Sequence, residues 1–257
     1  MIIDWVNNHA AIWRARKEYM RPVQHIDAIA LDDLLGIDQQ KQQLVHNTER
    51  FMHRQPANNA LLWGARGTGK SSLIKAVFNH YRGRGLRLVE VDKSDLIYLP
   101  EIVDEIRDTE HRFILFCDDL SFEANETHYK SLKSVLEGSI ESPPDNVLIY
   151  ASSNRRHLVP ESMQDNRNSG LVEDELHYAD AIEEKISLSD RFGLWLSFYP
   201  PNQEQYLAMV EHYFRDYHGD REALHHAAKQ FSQAKGGARS GRTAKQFFNS
   251  YSGWADE

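Results

Sequence analysis

The stretch NNALLWGARGTGKSSLIKAVFNHY, residues 58–81, constrains this chain more than any other part of its sequence. An apolar run leads into Gly64, Gly67 and Gly69, then a lysine and two serines, and then a second run with helical periodicity. Glycines let the backbone take positive φ values and turn its N–H groups inward without side-chain obstruction. Such a loop forms a nest for an anion. The helix expected from about Ser71 adds its unpaired N–H groups and the positive end of its dipole to the same place. The spacing G-x-x-x-x-G-K-[ST] is met by Gly64, Gly69, Lys70 and Ser71, with Ala65, Arg66, Gly67 and Thr68 between them and Ser72 following. In that pattern the lysine reaches the β and γ phosphates of a nucleotide and the hydroxyl faces a magnesium ion. The phosphate chain of a nucleotide, with Mg2+, is therefore the expected occupant.

Around this loop the elements alternate in type. DQQKQQLVHNTERFMH places Leu44, Val45, Thr48, Phe51 and Met52 at helical spacing. After the loop come a helix to about Arg82, the strand LRLVEV, the helix PEIVDEI with Pro100 in its first turn, and the strand RFILFC. The helix YKSLKSVLEG and the strand NVLIYASS complete the series, the latter introduced by the turn-forming SPPD. Uniformly apolar strands separated by helices imply a mostly parallel sheet covered on both faces, with ligands at the carboxyl ends of the strands. Beyond Pro200 only helical patterns follow: NQEQYLAMVEHYF, REALHHAAKQF and GRTAKQFFNSY. They read as a small helical subdomain. The acidic segment Glu161 to Lys185 has no strong period and is expected to be a mobile loop or a partner-facing insertion.

A phosphate cradle alone says only that a nucleotide binds. In RFILFCDDL an apolar strand ends in Asp118 and Asp119, which a parallel sheet brings to the same edge as the loop. Asp118 is the expected partner of the magnesium ion, and Asp119 the group that orients or activates an attacking water. The next strand ends at Asn154, a neutral amide suited to positioning that water or meeting the γ-phosphate as charge develops.

Composition narrows the remaining choices. The chain has 257 residues, 41% hydrophobic and 26% charged, which is typical of a globular protein. No apolar run approaches the roughly 18 residues of a spanning helix. The start MIIDWVNNHAAIW lacks the basic, apolar and cleavage regions of a secretory signal, so the cytoplasm is the expected location. A single cysteine, Cys117, excludes an internal disulfide and a multi-cysteine zinc site. His218, His225 and His226 do not share a helix face and make a poor metal site. A net charge of −8 argues against a broad nucleic-acid-coating surface, and Arg82, Arg84 and Arg87 read more simply as a solvated turn than as phosphate contacts.

The order GARGTGKS, FILFCDD, YASSN, LSDRFG and GARSGRTAKQF resembles the AAA+ ATPases over essentially the whole chain. More narrowly, LLGIDQQK, NNALLWGARGTGKSS, FILFCDDLSFE, LKSVLEGSIE and YASSNRRHLVPE resemble a bacterial AAA+ family catalogued as domain of unknown function 815. The resemblance implies an α/β P-loop NTPase core with a mostly parallel five-stranded sheet over residues 36–199. It adds a helical lid over 200–257, and residues 1–35 are expected to form a helical extension packed on the core. It also implies roles. Gly36 and Ile37 match the segment that packs around adenine, Asn154 the sensor-one position, and Arg191 the arginine finger that reaches a neighbouring subunit's nucleotide. Arg242 matches the sensor-two arginine of the lid, with Arg239 as the alternative, and Arg155 and Arg156 stay open as alternatives for the finger. Where many relatives carry Asp-Glu this chain carries Asp118-Asp119, so slow turnover is implied.

These readings converge on an Mg-ATP-dependent ATPase, a homo-oligomer such as a hexameric ring, acting on an unknown protein client or a nucleic-acid complex. A nucleotide-gated adaptor with little hydrolysis is the alternative, and a small-molecule kinase on the same scaffold a third. No pore-loop motif declares itself, and Tyr98 in SDLIYLPEIV reads as a helix-packing residue.

Overall fold

A computed structural model describes residues 3–122, 129–138, 142–156, 158 and 187–251. The segment 161–185, expected to be a loop or insertion, lies outside the described residues, as do the last six residues of the expected lid.

Seven strands form one sheet in the order β2-β1-β4-β5-β6-β3-β7. They are β1 (Ala10–Arg14), β2 (Tyr19–Pro22), β3 (Ala60–Gly64), β4 (Leu86–Glu90), β5 (Arg112–Cys117), β6 (Val147–Ser153) and β7 (Leu194–Phe198). The five strands from β4 to β7 in that order are mutually parallel. β1 extends them in parallel beside β4, and only β2 runs antiparallel.

Side chains alternate between the two faces, and each face is sealed by helices. On one side Leu61, Phe113, Leu115 and Ile149 meet α3 (Leu99–Ile106) and α4 (Tyr129–Glu137). On the other Leu62, Ile114, Phe116 and Leu148 meet α1 (Asp38–Met52) and α2 (Lys70–Tyr81). This double burial explains why the strands read as unbroken apolar runs. The phenol of Tyr150 is fully buried, and its hydroxyl lies 2.8 Å from Thr48 Oγ1 and 3.0 Å from Asn47 Nδ2 of α1.

The last three helices, α5 (Gln203–Tyr213), α6 (Arg221–Ala234) and α7 (Gly241–Ser250), bury a separate apolar cluster around Phe214. Their starts are fixed locally. Asn202 and Gln205 cap α5 reciprocally, Asp220 accepts from the Glu222 and Ala223 N–H groups, and Ser240 accepts from the Thr243 N–H.

Two expectations are corrected here. Among the described residues of 1–35 no helical extension forms: residues 10–22 hold a strand pair that widens the sheet from the expected five strands to seven. Ala, Arg, Lys and Glu in AAIWRARKEYM favour helix locally, but Ala11 and Trp13 gain burial as residues of β1, which pairs with β4, and Met20 as a residue of β2, which pairs with β1. Glu18, at φ 47°, makes the reversal between them. The second correction concerns Arg87, which is not a solvated turn residue. It is 4% exposed, and its guanidinium donates to the carbonyls of Trp5 (2.7 Å), Leu86 (3.0 Å) and Arg82 (3.2 Å). Arg84 pairs with Glu49 at 2.9 Å.

The N-terminal segment is thus part of the core. Trp5 packs edge-on against Phe113 at 4.9 Å between centroids. Trp5→Ala is expected to cost about 3–5 kcal/mol and to lower Tm by roughly 10 °C. A thermal unfolding scan checks this, and a peripheral appendage would instead show a shift near zero.

Candidate functional site

The parallel register brings three strand ends into one row. Leu62 of β3 stands opposite Ser152 of β6, and Cys117 of β5 opposite Ala151. The loop after β3, Asp118 and Asp119 after β5, and Asn154 after β6 therefore emerge at the same edge.

Gly64, Gly67 and Gly69 take φ values of 135°, 77° and 99°, and Gly69 is the left-handed cap from which α2 starts at Lys70. Gly64 has a second reason to be glycine, since a Cβ there would fall on the Phe198 carbonyl. The Lys70 ammonium folds back under the loop and donates to Gly64 O (2.8 Å), Ala65 O (2.7 Å) and Asn154 Oδ1 (3.1 Å). Thr68 Oγ1 donates to Ala65 O at 2.8 Å. Asn154 uses its other amide atom as well, donating through Nδ2 to Asp119 Oδ1 at 2.5 Å. The Ser71 hydroxyl donates to Asp118 Oδ1 at 2.6 Å.

These groups floor a cleft of about 1020 Å³ between the sheet edge and the helical lid. Of the residues expected from sequence, Ile37, Arg66, Gly67, Thr68, Gly69, Lys70, Ser71, Ser72, Asp118, Asp119, Asn154 and Arg242 line it. Gly64 and Ala65 stand behind that wall, their carbonyls turned to Lys70. Gly36, at φ 74°, faces Gln205 and Met209 of α5 rather than the cleft. Arg239 and the alternative finger residues Arg155 and Arg156 are outside the lining, and Arg156 lies over the Trp63 ring at 5.4 Å.

Arg191 does not join the cleft of its own chain. It precedes β7, at the sheet edge opposite the loop, where it forms an ion pair with Glu137 at the end of α4 and donates to the Ser187 carbonyl.

Sequence reasoning missed several cleft residues. Ser152, two positions before Asn154, is 2% exposed, and its hydroxyl lies 2.5 Å from Asp118 Oδ1. Ile29, Leu34 and Leu35 supply an apolar wall from the segment before α1, facing Met209, Tyr213 and Phe248 of the lid. The Asp33 carboxylate lies 3.5 Å from His212 Nε2, tying that segment to α5. The signal for the wall was faint, because 27–35 has neither helix nor strand period. Ser152 was hidden as one of two consecutive serines at a strand end.

Electrostatics of the floor are set by Lys70. Burial pushes its pKa down to about 8, against the pull of Asp119 and Asp118, and Arg242 and Arg66 depress it further. The paired oxygens of Ser71 and Asp118 form a hard donor set that suits a magnesium ion. The thiol of Cys117 is fully buried in the core and pushed up to about 12, which leaves it inert. His225 pairs with Glu211 at 2.5 Å, and among the described residues no cluster of metal-ligating side chains occurs. No described helix is long and apolar enough to cross a membrane.

Comparison with known proteins identifies a family and a fold. The family model described as "Protein of unknown function (DUF815)" matches residues 6–255. The 26S proteasome regulatory subunit 6B homolog of Encephalitozoon cuniculi is 27% identical over 199 residues, which are 63% of this chain and 51% of that protein. The RuvB Holliday junction branch migration motor of Thermotoga maritima superposes with a TM-score of 0.55 over 86% of this chain and 63% of its own, at 14% identity. A mutant of the same motor gives the same TM-score at 16% identity. The RuvB likeness establishes the fold. The chain spans about half the length of the proteasome relative and under two thirds of RuvB.

The depressed Lys70 ammonium gives a signed pH effect. A polyanion entering the loop favours its charged form, so binding of a triphosphate takes up protons wherever free Lys70 has begun to lose its own. Uptake is expected to rise toward about one proton per site between roughly pH 7 and 9, with affinity falling over the same range. Calorimetry in buffers of different ionisation enthalpy measures it, and uptake independent of pH would contradict the assignment.

Proposed function

Because the chain belongs to the family described as protein of unknown function (DUF815), a description that assigns no activity, we propose from the cleft itself that it is an AAA+ ATPase that binds and hydrolyses Mg-ATP. The observation that carries this reading is the convergence of Lys70, Asn154 and Asp119 in one chain of contacts beside the Ser71–Asp118 pair. In this reading the loop N–H groups and Lys70 hold the β and γ phosphates, and the base lies between Ile37 and the lid. Ser71 and Asp118 would hold the magnesium ion, which neutralises phosphate charge when bound. Asp119, aligned by Asn154, accepts the proton of a water whose oxygen bonds to the γ phosphorus as the bond to the ADP oxygen breaks. Arg242 reaches the phosphates from the lid.

Arg191 faces away from its own cleft, which favours action on a neighbouring copy and hence a homo-oligomer. A finger arginine of that kind contributes about 10³ to 10⁵ in rate. The work done is proposed to be the remodelling or loading of a macromolecular client. Both classes of client occur in the names of the relatives, one a proteasome subunit and the other a Holliday junction motor. With a net charge of −8 a protein client is the better match.

A second reading, a nucleotide-gated adaptor with little hydrolysis, is favoured by one feature. Asp119 is a short carboxylate at φ 50°, and its Oδ1 is already engaged by Asn154. Single-turnover phosphate release separates the two readings. Lys70→Ala is expected to weaken ATP binding by about 10- to 100-fold, the value of a lost charge-assisted hydrogen bond. Asp119→Asn should retain binding and lose hydrolysis by about 10² to 10⁴-fold. Absence of phosphate release from the unmodified chain would select the adaptor, and absence of ATP binding would remove both. Mixing in Arg191→Ala should reduce the specific rate of unmodified subunits, whereas a rate proportional to their concentration and indifferent to the variant would rule out a shared site.

A further inference from the structure

Ser152 belongs to none of the roles above, yet it touches both carboxylates' supports. Its hydroxyl has one proton to give and two lone pairs to offer. The proton goes to Asp118 Oδ1 at 2.5 Å, and the oxygen accepts the Asp119 N–H at 3.1 Å. Its backbone carbonyl accepts the Leu120 N–H at 2.7 Å. One residue of β6 therefore fastens three consecutive residues of the turn after β5. The middle one, Asp119, is left-handed at φ 50°, a conformation that few non-glycine residues adopt without support.

Asp118 Oδ1 also receives the Ser71 hydroxyl at 2.6 Å, the two hydroxyl oxygens standing 3.5 Å apart, and the Asp119 N–H at 3.1 Å. Two hydroxyls thus converge on one oxygen, Ser71 from α2 and Ser152 from β6. Ser71 lines the cleft at the end of the loop and is only partly buried. Ser152 is 2% exposed on a strand whose register is locked on both sides, so its hydroxyl stays with Asp118 when Ser71 leaves. We propose that Ser152 is a positioning residue for the metal-binding acid: through its hydroxyl it holds the Asp118 carboxylate toward Ser71 and so sets the affinity of the cleft for the divalent cation that accompanies the nucleotide. This rests on the nucleotide reading of the cleft. Partners that orient a ligating carboxylate in this way are worth about 10- to 100-fold in metal affinity.

The test is equilibrium binding of a fluorescent ATP analogue to the full chain while Mg2+ is titrated, for the unmodified protein and Ser152→Ala. With the metal chelated, the two should bind the analogue equally, because the loop and Lys70 are untouched. The Mg2+ concentration for half-maximal enhancement should rise about 10- to 100-fold in Ser152→Ala, and Ser152→Thr, which keeps the hydroxyl, should restore it. Should Ser152→Ala fail to fold, Ser152→Cys carries the same expectation, since a thiol is a weak donor. Equal Mg2+ dependence in the variant and the unmodified chain, with the analogue still bound, overturns the role of Ser152 and leaves the nucleotide reading standing. An unmodified chain that binds no analogue with or without metal overturns that reading, and the role of Ser152 with it.

Discussion

A buried ammonium group holds the site together. Lys70 lies beneath its own loop with three oxygens around it, two from the end of β3 and one from the residue after β6. A cation taken out of water without such partners costs several kcal/mol, so the loop can close over Lys70 only if the ends of β3 and β6 lie side by side. Their pairing, Leu62 beside Ser152 and Trp63 beside Ser153, meets that condition. The register is fixed in turn by the alternation of Leu61 and Leu62, Ile149 and Tyr150 into two different apolar layers, because a slip of one residue would exchange the faces. The geometry of a few polar atoms at the sheet edge is thus enforced by the core beneath it.

Two neighbouring carboxylates acquire different characters from what surrounds them. Asp118 receives hydroxyls from Ser71 and Ser152, whereas Asp119 turns the other way and meets the Asn154 amide. Asn154 has both of its amide atoms in use, accepting from Lys70 and donating to Asp119. The position of the lysine and that of the acid are therefore linked through a single side chain. Any anion that draws Lys70 off Asn154 Oδ1 frees that amide to reorient, and Asp119 with it. Charge at the loop and the aim of the acid form one coupled arrangement, a property that none of the three residues has alone.

Much of this was legible in the sequence, for physical reasons that also mark where reading stops. The glycine loop was plain because few residue types permit three positive φ values in six positions. Strands β3 and β5 were plain because burial on both faces makes ALLW and FILFC continuous apolar runs. The strand pair at 10–22 was not, since AAIWRARKEYM satisfies helical preference locally and becomes a sheet edge only because β4 offers a partner eighty residues away in the chain. β7 was hidden for a related reason: LWLSF is short, and its strand character comes from pairing with β3. The expected roles of Ile37, Asp118, Asn154 and Arg242 fell on residues that do meet in one cleft, whereas Ser152 carries no mark in a one-dimensional pattern. A serine at a strand end is commonplace until the register sets it against a carboxylate.

The loop and the lid are in direct contact, and that contact gives the cleft its mechanical sense. A Cβ at Gly67 would come within 3.0 Å of the Ser240 hydroxyl and 3.6 Å of the Arg242 Cβ, so the apex of the loop rests on the cap of α7 with no side chain between them. Glycine there serves both its backbone angle and this approach. Ser240 is itself committed, its hydroxyl taking the Thr243 N–H at 3.1 Å, so a shift of the loop bears on the start of α7 rather than on a free side chain. α7 is packed in turn against α5 through Phe214, whose ring meets Phe247 at 5.5 Å and Phe248 at 5.1 Å. These contacts make the lid one packed cluster rather than three separate helices. The apex of the loop therefore bears on a packed unit, and the seating of the lid is joined to the loop through Gly67 and Ser240.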